Sequence, residues 1–191
     1  AEGQLLFDTG ASGRFLDNAA LLGYNLEQTL TTVVLSHNHY DHTDGLPRLA
    51  EAVDNSLEIH IGPDFFRRKY ARDEDGSLRY TGACFKPEDI TRFHHRFIEH
   101  RKSAWEIMKD LFILNSFPIA HYNPRFKIEK EDGSVEPDPF IDESVLVIHR
   151  PKGLVVITGC SHPGILIILE HVQRWFDRPV IACLGGTHLM D

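Results

Sequence analysis

Apolar and polar positions switch between two periods along the first third of the chain. Residues 4–10 (QLLFDTG) are a short apolar run closed by Gly10, which predicts a buried strand. In SGRFLDNAALLGY, Phe15, Ala19 and Leu22 recur at helical spacing, with Ser12 placed to cap the helix and Gly23 to stop it. TTVVLS predicts a strand from its β-branched content. DGLPRLAEAVDN returns to the helical period, with Leu46, Leu49, Ala50 and Val53 on one face and Asp44 at the cap. LEIHIG alternates as a strand. Strand–helix–strand–helix–strand is the order of a layered α/β domain.

The middle of the chain is less regular. PDFFRRKYARDEDGSLRY predicts a short helix and then a hairpin or loop around Asp75-Gly76, and residues 86–110 (KPEDITRFHHRFIEHRKSAWEIMKD) predict a mostly helical stretch. DLFILNSF is a candidate strand. NPRFKIEKEDGSVEPDPFIDE predicts a strand and then an exposed excursion rich in proline and acid. Order returns with SVLVIHRPKGLVVITGCSH, two apolar strands joined at Arg150-Pro151-Lys152-Gly153. GILIILEHVQRWF predicts an amphipathic helix and PVIACLGG a last strand.

A chain of 191 residues fits one domain, here 1–191, and can bury a real core. A net charge of −8 argues against nucleic acid as a partner, though a small anionic substrate is compatible with it, because local charges override the global sign. Three cysteines without a CxxC pair do not make a disulfide framework and fit reduced thiols in the cytoplasm. No apolar run approaches the roughly 18 residues of a membrane span, and no signal peptide is visible. Both ends read as cuts through a fold.

The 12 histidines matter only through their placement. In VVLSHNHYDHTDGL, His37, His39, Asp41 and His42 follow directly on a strand. Residues i and i+2 of an extended chain point the same way, about 7 Å apart, so His37 and His39 can converge on one ion. The bend that follows can aim Asp41 and His42 at a second. Two ions sharing one water, which they render nucleophilic, are a hydrolytic device. His-rich donors suit zinc, with manganese or iron also compatible.

SHNHYDHTDGL resembles the HxHxDH signature of the metallo-β-lactamase superfamily. LFDTG resembles that superfamily's early strand ending in an aspartate, and TGCSHPG and GGTHL resemble segments of a branch that includes the dihydropterin–ribofuranosylaminobenzene phosphate synthases. The resemblance implies an α/β (α+β) fold, a four-layer αββα sandwich, here without its N-terminal strand and C-terminal segment. It implies His37 and His39 on a first metal, Asp41 and His42 on a second, and Asp8 orienting the metal loop. Cys160 falls where relatives place a metal-bridging aspartate, and is either a soft ligand or a small core residue. His162 is an added ligand or a cap for the following helix; His188 is a ligand or a supporting residue. Three departures from the pattern stand out: Asp44 replaces a usual glycine, Thr187 a usual phenylalanine, and relatives continue to a late histidine that completes the second site whereas this sequence stops at Asp191, so that either the fragment or the second site is incomplete.

The activity implied is a metal-dependent hydrolase that uses a metal-bound hydroxide on an ester, phosphoester or related small molecule, with Asp41 guiding the proton. The alternatives are a pterin-type transferase that forms a C–N bond and releases pyrophosphate, and a metal-binding protein without catalysis. Arg67 and Arg68 are candidates to grip an anionic substrate. His60, His94, His95, His100, His121, His149 and His171 are read as bystanders, with His121 the one nearest a late loop.

Overall fold

The computed structural model describes residues 4–101, 103–119 and 123–189, so His121 lies outside the described residues. In chain order the elements are β1 (Gln4–Phe7), α1 (Arg14–Leu21), α2 (Leu26–Thr29), β2 (Leu30–Val34), α3 (Tyr40–Thr43), α4 (Leu46–Ala52), β3 (Glu58–Ile61), β4 (Lys69–Arg72), β5 (Leu78–Tyr80) and α5 (Pro87–Thr91). They continue as β6 (Arg96–Glu99), β7 (Ala104–Met108), β8 (Leu111–Leu114), β9 (Phe126–Glu129), β10 (Val135–Pro137), β11 (Val145–Arg150), β12 (Gly153–Thr158), α6 (Ile165–Phe176) and β13 (Val180–Gly185).

Strand alternation builds the layers. The first sheet, β1-β2-β3-β6, is parallel throughout. Val33 of β2 faces outward into a core shared with Leu46, Leu49 and Ala50 of α4 and Ile90 of α5. The next residue, Val34, faces the other way and meets Ile113 of β8 and Leu146 of β11. Those two strands belong to the mixed sheet β13-β12-β11-β8-β7. Its outer face sends Leu114, Val145 and Val147 against Ile168 and Val172 of α6. Helices, sheet, sheet and helix therefore stack in four layers, because successive side chains on a strand point to opposite faces. A smaller antiparallel sheet, β10-β9-β4-β5, carries its own cluster of Ala71, Phe126 and Phe140.

Several local expectations change. The N-cap of α1 is Gly13, without a side-chain cap, rather than Ser12. Asp44 does not cap α4, whose N-cap is Gly45; its Oδ1 accepts from Cys84 N (2.9 Å) instead. FFRRKY is a turn leading into β4, not a helix. Among the described residues of 86–110, the helix is only the five-residue α5, followed by β6 and β7. His94 takes a left-handed backbone (φ 67°), which stops the helix, and β6 then pairs with β3 to complete the parallel sheet. The tertiary pairing overrides the helical spacing of the apolar residues. The Asp75-Gly76 and Arg150–Gly153 hairpins form as expected, with Arg150 paired to Gly153. The acidic excursion does not stay in solvent: Asp138, Asp142 and Glu143 are buried.

Candidate metal centre

The continuation of β2 carries the first two histidines inside. Leu35 N donates to His60 O (3.0 Å), and Ser144 N donates to Ser36 O (2.7 Å). The chain then doubles back, with His39 N donating to His37 O (3.1 Å). The expected extended geometry is thus a tight turn, which sets His37 Nε2 3.1 Å from His39 Nδ1. From the far half of the chain, the loop after β12 brings His162 Nε2 to 3.2 Å from His37 Nε2. His37 is fully buried and His39 nearly so.

A second set overlaps the first at His37. Donor atoms of His37, His42 and Cys160 lie within 4.8 Å of one another, as do those of His37, His39 and His162. His42, on the single turn α3, places Nε2 3.1 Å from Cys160 Sγ and Nδ1 2.7 Å from Asp8 Oδ2. Asp8 also accepts from Ser36 N (2.7 Å) and Ser36 Oγ (2.8 Å), and Ser36 Oγ lies 2.9 Å from His37 Nδ1. The carboxylate therefore orients one histidine directly and reaches a second through a hydroxyl. Gly159 makes this possible, since a Cβ there would collide with Ser36 Oγ. Asp41 belongs to neither set. Its side chain is half exposed, with Oδ2 3.8 Å from His42 Nε2. The ring of His188 stands 4.4 Å from that of His162, centroid to centroid.

The segment from Asp138 to Ser144 supports both histidine loops, and sequence reasoning missed it. Asp142 Oδ2 accepts from Asn38 N (2.8 Å), between the two histidines of the turn. Glu143 Oε1 accepts from Ser161 N (2.9 Å), and its Oε2 lies 4.0 Å from His37 Nδ1. Phe140 stacks on His162, with centroids 3.9 Å apart and planes 6° from parallel. Lys69, buried at the start of β4, holds the segment through Asp142 Oδ1 (2.6 Å) and Asp138 Oδ2 (3.1 Å). The one sequence signal for this role is an aromatic residue set among acids after a proline.

Electrostatics favour lone pairs over protons at the first set. Burial, reinforced by neighbouring imidazoles and Lys69, pushes His37, His39 and His162 well below the ordinary histidine pKa. His37 Nε2 lies 3.1 Å from His39 Nδ1 and 3.2 Å from His162 Nε2, a spacing that shared protons or one common metal ion can bridge. Nitrogens held tetrahedrally at 2.0–2.1 Å from one zinc ion would be about 3.3 Å apart, so the donors fit such an ion. At His42 burial opposes charge, but hydrogen bonds and charge from Asp8 and Cys160 outweigh it and raise the pKa to about 11. Burial and the charge of Asp142 push Glu143 up to about 8.

A pocket of about 170 Å³ opens over this cluster, lined in part by His39, His162, His188, Cys160 and Asp41. Arg67 and Arg68 do not line it. Arg67 lines a larger cavity of about 930 Å³ that holds none of the clustered donors, and its guanidinium donates to Glu129 O. Arg68 pairs with Glu129 and lies over Tyr70 and Tyr80. Both side chains are engaged on the small sheet. The arginines at the donor pocket are Arg79 and Arg125.

Residues 1–173 match the family model described as "Metallo-beta-lactamase superfamily". The chain belongs to the metallo-beta-lactamase superfamily. Within the superfamily it is 31% identical over 196 residues to the 7,8-dihydropterin-6-methyl-4-(beta-D-ribofuranosyl)-aminobenzene-5'-phosphate synthase of Methanocaldococcus jannaschii, covering 98% of this chain and 66% of that protein. The crystal structure of Tm1679, described as a metal-dependent hydrolase of the beta-lactamase superfamily, is 32% identical, with TM-score 0.84, over 98% of this chain and 67% of that one. A B3 metallo-beta-lactamase with an active-site glutamic acid shares the fold at TM-score 0.54 and 12% identity, over 98% of this chain and 69% of its own. The chain thus spans about two thirds of the length of these superfamily relatives. Among the described residues, no helix is long and apolar enough to cross a membrane.

Proposed function

We propose that this chain carries the metal centre of a hydrolase acting on a small molecule with an ester, phosphoester or related bond. The observation that carries the reading is the convergence of three buried, neutral imidazoles beneath an open pocket. His37, His39 and His162 would hold a first divalent ion, and His42 with Cys160 a second, zinc being the best match to nitrogen and sulfur donors. When bound, such ions lower the proton affinity of solvent and steady negative charge on oxygen. Asp8 Oδ2 holds the proton of His42 Nδ1, which keeps Nε2 facing the centre. Phe126 and Phe140 pack their rings against His39 and against each other, which limits how that ring can turn. Asp41, half exposed at the pocket, is placed to take a proton on its carboxylate as the reaction proceeds. Three free thiols, two of them exposed, suit a cytoplasmic protein.

The relative from Methanocaldococcus jannaschii is named a synthase, which supports a second reading: the same donors would serve a pterin-type transferase that forms a C–N bond and releases pyrophosphate. Elemental analysis of the purified protein, followed by turnover of bis(p-nitrophenyl) phosphate and p-nitrophenyl acetate, tests the first reading. Two equivalents of metal with metal-dependent hydrolysis support it. Metal without hydrolysis, together with pyrophosphate release from a pterin diphosphate, replaces it with the second. Tightly held metal with neither turnover leaves a binding protein, and no metal at all sinks the assignment.

A further inference from the structure

Three residues lie side by side across the small sheet. Ala71 of β4 is paired with Arg79 of β5 on one side and with Phe126 of β9 on the other. Directly paired residues share a sheet face, so Arg79, Ala71 and Phe126 present one surface. That surface looks onto the donor cluster, because the Phe126 ring stands 5.0 Å from His162 and 5.5 Å from His39. Ala71 is the small member of the row, and all three residues line the pocket over the cluster. Arg125, next to Phe126 in the chain, also lines the pocket and makes no ion pair among the described residues, while Arg79 has only the 3.5 Å contact to Asp73. Thr81 completes the lining. It is 5% exposed, and its Oγ1 is buried without a hydrogen-bond partner among the described residues. A buried hydroxyl without a partner is costly and calls for an acceptor.

Local donors therefore run against the global charge. The whole chain carries −8, yet two arginines, Arg79 and Arg125, and a single acidic residue, Asp41, line this pocket; Arg125 also borders a neighbouring cavity beside Asp73, Glu74 and Asp75. We propose that the pocket is a recognition subsite for the phosphoryl group of a small organic phosphate, gripped by Arg79 and Arg125 with Thr81 donating its hydroxyl. The proposal rests on the metal-centre reading for the fourth side of the group. Guanidinium forks bind phosphate oxygens bidentately. Donors in three separate places, above a cationic base, match a tetrahedral group better than a planar carboxylate with two oxygens. At about 170 Å³ the pocket is smaller than the roughly 300–1,000 Å³ of a drug-sized site, so it takes the head group and leaves the rest of the substrate outside, beside Tyr40.

Calorimetric titration of the zinc-reconstituted chain with phenylphosphonate, benzoate and the neutral dimethyl phenylphosphonate tests this. Phenylphosphonate should bind at least 10-fold more tightly than benzoate, and the neutral ester not at all. The double variant Arg79→Gln/Arg125→Gln should weaken phenylphosphonate 10- to 100-fold with zinc content unchanged. Thr81→Val should weaken it several-fold, and Arg68→Gln, just before β4 and outside the pocket, should not. Unchanged phosphonate affinity in the double variant would assign the binding to metal alone and overturn the subsite, as would benzoate binding equally well. Should the protein take up no zinc, the metal-centre reading fails by itself. The subsite is then decided on the zinc-free chain, where it survives if phosphonate binding still depends on the two arginines and is overturned if it does not.

Discussion

Asp8 adopts a left-handed backbone (φ 60°) and accepts from Ser36 N, Ser36 Oγ and His42 Nδ1 within 2.8 Å. Such a conformation is uncommon outside glycine and tolerated best by Asp and Asn. The strain is offset by what the carboxylate fixes, the outward nitrogen of one donor histidine and the hydroxyl beside another. Replacing partners of this kind typically lowers metal affinity 10- to 100-fold. Asp8→Ala should therefore lose zinc affinity by about that factor in competition with a chromophoric chelator, and Asp8→Asn, which keeps the backbone and one acceptor, should lose less. Equal affinity in all three proteins would move the orienting role elsewhere. At this scale the sequence was legible where chemistry clusters in one short motif: His37, His39 and His42 are neighbours in the chain and in space. Phe140, Glu143, Arg79 and Thr81 were not legible, because strand pairing and a buried Lys69 contact bring them in from distant segments. Nothing in their local spacing announces it, and the same tertiary placement took Arg67 and Arg68 away from the pocket.

Among the elements, β3 and β6 carry an acid-sensitive pair that the metal centre does not use. His60, on β3, sets Nδ1 2.7 Å from Nε2 of His100, which follows β6, and the rings lie 2° from parallel. Burial, then the neighbouring His60, lower His100 to a pKa of about 4, and burial lowers His60 too. The unfolded chain, near the ordinary value of 6.5, takes up these protons at higher pH than the folded one. Stability from the pair is thus complete above about pH 6.5 and drains away as pH falls towards 4. Urea midpoints should drop on going from pH 7 to pH 5, with His100 accounting for on the order of 1–2 kcal/mol. His100→Asn should be less stable at pH 7 and lose less between the two. A wild type and variant with parallel pH profiles would rule the pair out. β6 was also the element hardest to read: RFIEH has helical neighbours on its N-terminal side, and only its pairing with β3 makes it a strand. The strands of β2 and β11–β12, rich in valine and isoleucine and bounded by clear turns, could be read directly.

For the molecule as a whole, two large outer cores lie against the helices, and a thinner inner one, centred on Val34, Ile113 and Leu146, joins the sheets. The donors sit where residues from both sheets meet, so a bound ion ties the two halves together. An ion present at 100 times its dissociation constant adds about 2.7 kcal/mol to the folded state. For a chain of this length that corresponds to about 5–10 °C in melting temperature. Scanning calorimetry with and without a chelator should show a fall of that size, and superimposable traces would mean that no ion braces the fold.

His37 and His162 are 125 positions apart in the chain and meet only when both sheets are in place. An ion held by this set would find its full complement of donors only once both sheets are in place. The metal-to-protein ratio of a preparation then becomes a gauge of maturity, reading out the fraction of chains whose two ends of the story have been joined.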